Sequence, residues 1–205
     1  NALKNYVTEP DYILNAAGLT NVDSCEFNKK SAFDQNVKIV KNLSKTCKNY
    51  KIKLIHISTD HIFSGNKSFH NELDIPNPLN VYSRTKLQAE KFIKQNLKNY
   101  TIIRSNFFGW DKKNSNKFFS WIFKNLQNKQ KINLYSDIFF SPVSSFFLSK
   151  VIKKIITKNF KGTINVSSNQ KISKYQFGIL LAKIFHFDTS LIRKIEYKNL
   201  NLKIN

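Results

Sequence analysis

Apolar and polar positions alternate along the first hundred residues in a way that predicts strands and helices in turn. Asp11-Tyr12-Ile13-Leu14-Asn15-Ala16 is a short apolar run with polar ends and predicts a buried strand. From about Lys29 to Asn49 the apolar residues Phe33, Val37, Val40 and Leu43 recur at the spacing of one helical face. Lys53 to Ile57 predicts a second strand. A long polar stretch follows, with Gly65, Pro76 and Pro78, residues whose conformational preferences suit turns. Asn80 or Ser83 can cap the next helix, which runs to about Asn96 with Leu87, Phe92 and Ile93 facing inward. Tyr100 to Arg104 then predicts a third strand. Strands alternating with helices imply an α/β architecture, a parallel sheet covered on both faces by helices. In such sheets ligands bind beyond the carboxyl ends of the strands. Asn15 to Gly18, Ser58 to Asp60 and Ser105 to Phe107 all fall at such ends.

Beyond residue 106 the pattern continues with a helix from about Asn116 to Asn128 and a strand at Ile132 to Tyr135. A turn at Pro142 leads into a helix through about Thr157, then a strand at Gly162 to Val166. A last amphipathic helix runs from about Ser173 to Phe185, with Tyr175, Phe177, Leu180, Leu181 and Ile184 in register. There is no internal repeat and no linker rich in Pro, Gly and Ser. Residues 107–205 therefore read as a region interleaved with residues 1–106 and not tethered to them.

Composition changes the picture in three places. The chain of 205 residues suits one large domain, and it contains no Met, even at position 1. Ala2 to Val7 reads as the tail of a helix, so the expectation is a piece of a longer protein. The formal charge of +21 raises nucleic acid as a partner. That charge is dispersed as Lys among abundant Asn, with no Arg-rich run or nucleic-acid motif, and a solvated surface explains it better. Cys25 and Cys47 have neither metal-ligand nor redox spacing, and a reduced, cytoplasmic setting is expected. Lys and polar residues interrupt every apolar stretch short of a membrane span, so no membrane partner is expected.

The chemistry-bearing residues form a pair of signals. Ser58-Thr59-Asp60 closes the second strand, and Tyr82-Ser83-Arg84-Thr85-Lys86 opens the following helix. A Tyr-x-x-x-Lys match is expected about once by chance in a chain this rich in Lys, so its context must carry the argument. Tyr82 and Lys86, at i and i+4, share one helical face. A strand-end hydroxyl beside a phenol and an amine is a plausible means of delivering a proton to a carbonyl.

Further residues extend the pattern: Asn15-Ala16-Ala17-Gly18, Thr20-Asn21-Val22-Asp23 with Glu26, Ser58-Thr59-Asp60-His61-Ile62-Phe63-Ser64-Gly65, and Pro78-Leu79-Asn80-Val81-Tyr82 with Lys86. Ile103-Arg104-Ser105, Asp137 to Pro142 and Asn165 to Phe177 continue it. Together they resemble the extended short-chain dehydrogenases/reductases, and within them the dTDP-4-dehydrorhamnose reductase group. The resemblance implies a Rossmann-like doubly wound sheet and a cofactor, NADPH or NADH. No glycine-rich pyrophosphate turn is present, and counting back from Asn15 would place it before residue 1.

By this resemblance Tyr82 is the general acid, Lys86 tunes it and contacts the cofactor ribose, and Thr59 orients the carbonyl. A free Tyr has a pKa of about 10, and a nearby ammonium would bring it toward neutrality. Ala16, Ala17, Gly18 and Ile57 join Tyr82 and Lys86 around the cofactor, while Thr59, Asp60 and Phe107 meet the sugar. Dehydratases of the superfamily carry an Asp-Glu pair after the Thr, and His61 in the second position tilts the reading toward simple reduction. His61 itself reads as structural. Arg104 is expected to pair with a carboxylate at the strand end or to face the nucleotide sugar. Phe107 stands where the reductase group often has Trp, which leaves the sugar open.

The implied activity is reduction of the 4-keto group of a nucleotide-linked deoxysugar for cell-surface polysaccharide synthesis. Its partner is a nucleotide-sugar substrate, and a homodimer is left open. Two alternatives stand beside it. One is a non-catalytic, cofactor-binding regulatory subunit like the relatives associated with methionine adenosyltransferase, and the other is a sugar-nucleotide epimerase.

Overall fold

The structure, a computed structural model, describes residues 10–65, 67, 69–110 and 117–199. The expected helical tail at Ala2 to Val7 lies outside the described residues. By internal packing the chain forms two units, residues 1–105 with 154–166, and residues 106–153 with 167–205.

The first unit is built on a four-stranded, all-parallel sheet. Its strands are β1 (Tyr12–Asn15), β2 (Lys53–Ser58), β3 (Tyr100–Ser105) and β8 (Gly162–Val166), in the order β1-β2-β3-β8. Strand β2 is buried at every residue, as a central parallel strand covered on its faces must be. The register sets Asn15 beside His56, Ser58 beside Arg104 and Ser105 beside Val166, so the three expected site segments emerge at the same end of the sheet.

Four helical segments join these strands: α1 (Val22–Phe27), α2 (Lys29–Phe33), α3 (Ile39–Asn49) and α4 (Val81–Asn96). Val40, Cys47, Ala89, Ile93 and Leu97 pack on Ile52, Leu54 and Ile102 to make the core under α3 and α4. Both cysteines are free and buried. The sequence pattern missed α1, whose start is set by Asn21 accepting from Ser24 N at 2.7 Å.

The expected helix from Lys29 to Asn49 is interrupted by a π-helical turn at Asp34–Lys38. A wider turn slips the phase of the buried stripe. Ala32, Asn36, Val37 and Val40 therefore face inward, and Phe33 is left 37% exposed at the rim. On α4 the expected inward residues Leu87 and Phe92 are only half buried, whereas Ile93 is fully buried with the polar Ser83, Thr85, Lys86 and Glu90.

The second unit contains β4 (Phe107–Phe108), α5 (Phe118–Gln127), β5 (Ile132–Tyr135), β6 (Phe139–Phe140), β7 (Val143–Ser144), β9 (Ile172–Ser173), α7 (Lys174–Ile184) and β10 (Ile192–Ile195). Helix α6 (Ser145–Thr157) begins in it and ends in the first unit. Strands β5 and β10 pair in parallel, and Phe119, Ile122, Leu126, Leu134, Phe177, Leu181 and Ile192 form the core beneath them. The expected apolar face of α7 is partly corrected, because Leu180 and Ile184 are exposed while Gly178 and Ala182 are buried. A Cβ at Gly178 would collide with the Leu134 side chain, so the helix approaches β5 on its smallest residue.

Candidate active site

The end of β2 delivers the first part of the site. Thr59 is 3% exposed and leaves the strand in extended backbone, and its Oγ1 accepts the His61 N–H at 3.2 Å, starting a single helical turn at Asp60–Ile62. Asp60 lies beside it, its side chain 39% exposed, with Oδ1 accepting from Thr59 Oγ1 at 3.4 Å and His61 Nε2 3.9 Å away.

Helix α4 delivers the second part, and its start is fixed three times over. Asn80 accepts from Ser83 N at 2.8 Å, and Ser83 Oγ accepts from Asn80 N at 3.2 Å, so both expected cap residues act in one capping box. Glu26 of α1 accepts the Val81 N–H at 2.6 Å. A carboxylate suits that end of a helix because the first N–H groups have no partner within it. Tyr82, the next residue, is 9% exposed and packs with Cys25, Ala32 and Val81, and the His61 ring meets its ring edge-on at 5.9 Å.

The phenol does not behave as the sequence suggested. Burial pushes Tyr82 above its ordinary value, the Thr59 hydroxyl opposes that rise, and the Asp60 and Cys25 charges add to it. Lys86, expected to draw the phenol down, is instead directed at β2, where Nζ donates to the Ile57 carbonyl at 2.6 Å and meets His56 Nε2 at 3.3 Å. Burial lowers Lys86 to about 8, with Glu90 opposing.

Three residues that the sequence did not single out hold this arrangement. Glu90, 1% exposed, accepts from Ser58 Oγ at 2.5 Å and from Arg104 Nη2 at 2.8 Å, joining β2, β3 and α4. Asn36, at the π-helical turn, accepts from Leu19 N at 2.8 Å and donates to Leu19 O and Thr85 Oγ1, both at 3.0 Å. His56 is wholly buried between Asn15 and Lys86. Only Asn36 left a signal, a polar residue four before Val40 on the buried face of a helix.

The remaining expected residues separate into two sets. Ala16 and Ala17 are exposed at the end of β1, and Gly18 lies close enough to Asn36 that a Cβ would sit 2.7 Å from its Oδ1. Ile57 contributes its backbone carbonyl to Lys86. Ala16, Ala17, Gly18, Ile57, Thr59, Asp60, Tyr82 and Lys86 thus belong to the first unit. Phe107 belongs to the second, 47% exposed on β4. In that unit Trp110, 65% exposed, packs edge-on against Phe119, Phe123 and Phe185, an aromatic cluster the sequence reading did not mark.

Over the strand ends, Arg104 Nη1 reaches the Glu72 carbonyl at 3.4 Å and Glu72 Oε1 accepts the Asn165 N–H at 2.8 Å. This pins the long Gly- and Pro-containing loop to β3 and β8. Of the two roles expected for Arg104, pairing with a carboxylate is the one the structure displays. Among the described residues no group of His, Cys, Asp and Glu is placed to hold a metal ion, and no helix is long and apolar enough to cross a membrane.

A parallel sheet with Ser58-Thr59-Asp60 at the end of one strand and Tyr82 and Lys86 on the next helix is the framework of the extended short-chain dehydrogenases/reductases. The chain belongs to the family of the RmlD substrate binding domain, whose model matches residues 1–205. It is 28% identical to a dTDP-4-dehydrorhamnose reductase of Aggregatibacter actinomycetemcomitans over 91% of this chain and 64% of that protein. With methionine adenosyltransferase 2 subunit beta of Bos taurus it shares 27% identity over 93% of this chain and 59% of that one. Among solved structures, the dTDP-4-dehydrorhamnose reductase of Bacillus anthracis in complex with NADP superposes with a TM-score of 0.84, at 25% identity, covering 92% of this chain and 67% of that one. The chain spans about three fifths of the length of the curated relatives it matches.

Proposed function

We propose that the protein is an NAD(P)H-dependent oxidoreductase that reduces the 4-keto group of a nucleotide-linked deoxysugar, in the cytoplasm and in support of cell-surface polysaccharide synthesis. The observation that carries this reading is the meeting of Thr59 and Asp60, at the end of β2, with Tyr82, on a helix whose start is capped by Asn80 and Glu26. Residues 1–106 hold the cofactor and residues 107–205 take the substrate.

The residues present fit a nicotinamide dinucleotide. Ala16 and Ala17 are small and exposed, so backbone at the end of β1 is open to close approach, and Lys86, one turn after Tyr82 on α4, carries N–H groups beyond the one given to the Ile57 carbonyl for a ribose hydroxyl. Ile57, Tyr82 and Lys86 with Ala16 to Gly18 would hold the group, which supplies the hydride when bound.

The chain's own residues handle the proton. Thr59 Oγ1 donates a hydrogen bond to the substrate carbonyl and fixes its direction. Tyr82, kept protonated by its burial, gives its proton to the oxygen as negative charge develops there, and a phenol that stays protonated suits a general acid. Asp60, half exposed beside it, accepts from a sugar hydroxyl.

The full-length protein, mixed with NADPH and dTDP-linked 4-keto-6-deoxy sugars, is expected to consume NADPH. Absence of turnover with every such sugar, alongside measurable cofactor binding, would sink the reading. The identity with methionine adenosyltransferase 2 subunit beta favours a second one, a cofactor-binding regulatory subunit. Recovery of a stoichiometric enzyme partner without NADPH consumption would support it. Interconversion of sugar epimers without net NADPH use would support an epimerase instead.

A further inference from the structure

The single turn at Asp60–Ile62 is made by backbone groups, which leaves the His61 side chain with no part in it. The His61 N–H donates to Thr59 Oγ1 at 3.2 Å, and the Phe63 N–H donates to the Asp60 carbonyl at 3.1 Å. Any residue with an N–H at position 61 completes that turn.

The imidazole itself stands at the site. It is 43% exposed, and its ring meets that of Tyr82 edge-on at 5.9 Å. Its Nε2 lies 3.9 Å from Asp60 Oδ1, beyond hydrogen-bond reach. Neither ring nitrogen is hydrogen-bonded to another described residue. His56 and His70 differ, the first held at both ring nitrogens and the second at Nδ1 by Asp74. A neutral imidazole has one nitrogen lone pair to offer a proton, and its ordinary titration lies nearest neutrality of all side chains.

We propose that His61 is a general base that removes hydrogen from the carbon next to the substrate carbonyl, giving the site a second activity: exchange of that hydrogen with water. The inference rests on the proposed reductase reading, from which it takes the carbonyl seat at Thr59 and Tyr82.

In the forward step a neutral His61 nitrogen takes the proton at C3 or C5 of the sugar, and the C–H electron pair becomes a double bond to C4. The carbonyl pair moves onto oxygen, which takes the Tyr82 proton and becomes an enol. In the return step the enol gives that proton back to the phenolate. The carbon takes one from the imidazolium, which has meanwhile traded its own with water at its exposed edge. Nothing is oxidised or reduced, and no hydride moves. One base serves one face, so the carbon keeps its configuration and no epimer forms.

The neighbours suit both steps. The Asp60 carboxylate favours the imidazolium once it forms. Burial holds Tyr82 in its protonated form, so the phenol is ready to give a proton to the oxygen. Ring contact keeps the base within a sugar ring's width of that acid.

The full-length protein is incubated in D2O with NADP+, which has no hydride to give, and a dTDP-linked 4-keto-6-deoxy sugar. The recovered sugar is read by mass and proton NMR against a protein-free blank. Deuterium is expected at C3 or C5 about a hundredfold faster than in the blank. His61→Phe keeps a ring against Tyr82, and its exchange is expected to fall to within a few-fold of the blank. His61→Ala is expected to lose exchange and to regain it when imidazole is added to the buffer, a rescue that a residue acting only by packing does not give. NADP+ binding, followed by fluorescence, checks that each variant is folded. Wild-type exchange at the blank rate, exchange that survives in His61→Phe, or no rescue of His61→Ala overturns the proposal.

NADPH consumption is read separately. Reduction without exchange overturns the His61 assignment and leaves the reductase reading standing. Exchange that depends on His61, from a protein that consumes no NADPH, upholds the assignment and sinks the reductase reading. Absence of both, in a protein shown to bind the sugar, overturns both.

Discussion

Arg104 and Glu90 are joined by three hydrogen bonds while almost wholly excluded from water, with Nη2 to Oε2 at 2.8 Å and Nε to the two carboxylate oxygens at 3.1 and 3.2 Å. The pair locks α4 to β3, and Ser58 Oγ locks it to β2. Tyr82 lies two turns before Glu90 on α4, so this clamp sets where the phenol stands relative to Thr59.

Breaking the clamp from one side leaves a charge buried alone. Glu90→Gln is expected to cost about 3–5 kcal/mol, measured by urea unfolding, because the Arg104 charge loses its counterion. The double variant Glu90→Leu, Arg104→Met should recover much of that loss, since apolar replacement of a whole buried pair is often near neutral. Equal loss in both variants would mean that the ion pair is not what the site depends on.

Gly18 and Asn36 give a test of the loop at the end of β1. A Cβ at residue 18 would sit 2.7 Å from Asn36 Oδ1, the atom that accepts the Leu19 N–H. Gly18→Ala is expected to displace the amide and cost about 1–3 kcal/mol, the range for overpacking a filled site. In the full-length protein it should also weaken NADPH binding, measured by fluorescence titration. Unchanged stability and affinity would show that the loop absorbs the methyl freely.

Lys86 predicts a pH dependence with a definite sign. Its folded value of about 8 lies below the ordinary lysine value of 10.5, so between those limits the unfolded chain holds more protons than the folded one. Stability should therefore rise with pH from about 8 to 10, by up to roughly 3 kcal/mol at about 1.4 kcal/mol per unit of displacement. Above 10 the raised Tyr82 acts the other way, because there the folded state holds the extra proton. Urea midpoints measured from pH 7 to 10 should climb for the wild type and flatten for Lys86→Met.

How far the sequence could be read followed from how local each signal is. The strand ends at Asn15, Ser58 and Ser105 were legible because short apolar runs and their polar stops are local. Asn80 and Ser83 were legible as caps for the same reason, and an Arg at the end of a buried strand called for a carboxylate. The π-helical turn at Asp34–Lys38 was not legible, since a fixed helical period carries no sign of an added residue. Glu90, among Gln88, Lys91 and Lys94, looks like any solvated helix position until Arg104 is brought to it. His56 lies inside an apolar strand, and its meaning depends on Asn15 and Lys86, 41 residues before it and 30 after it. The behaviour of Tyr82 was misread because Lys86 reaches β2, a direction that i, i+4 spacing does not specify.

Tyr82→Phe removes the proposed acid and leaves the ring packing against Cys25 and Val81. Turnover should fall about a hundred- to ten-thousandfold, with NADPH affinity within a few-fold of wild type. A parallel loss of binding would place the residue in cofactor retention instead.

The central claim is that this site moves hydride to a sugar carbonyl, and isotope transfer tests it most directly. The full-length protein is incubated with NADPH deuterated at the transferable position and a dTDP-linked 4-keto-6-deoxy sugar, and the product is read by mass and proton NMR. One deuterium at C4 of the sugar, abolished in Tyr82→Phe, is the predicted result. A sugar recovered without deuterium, from a protein shown to bind both molecules, would contradict it.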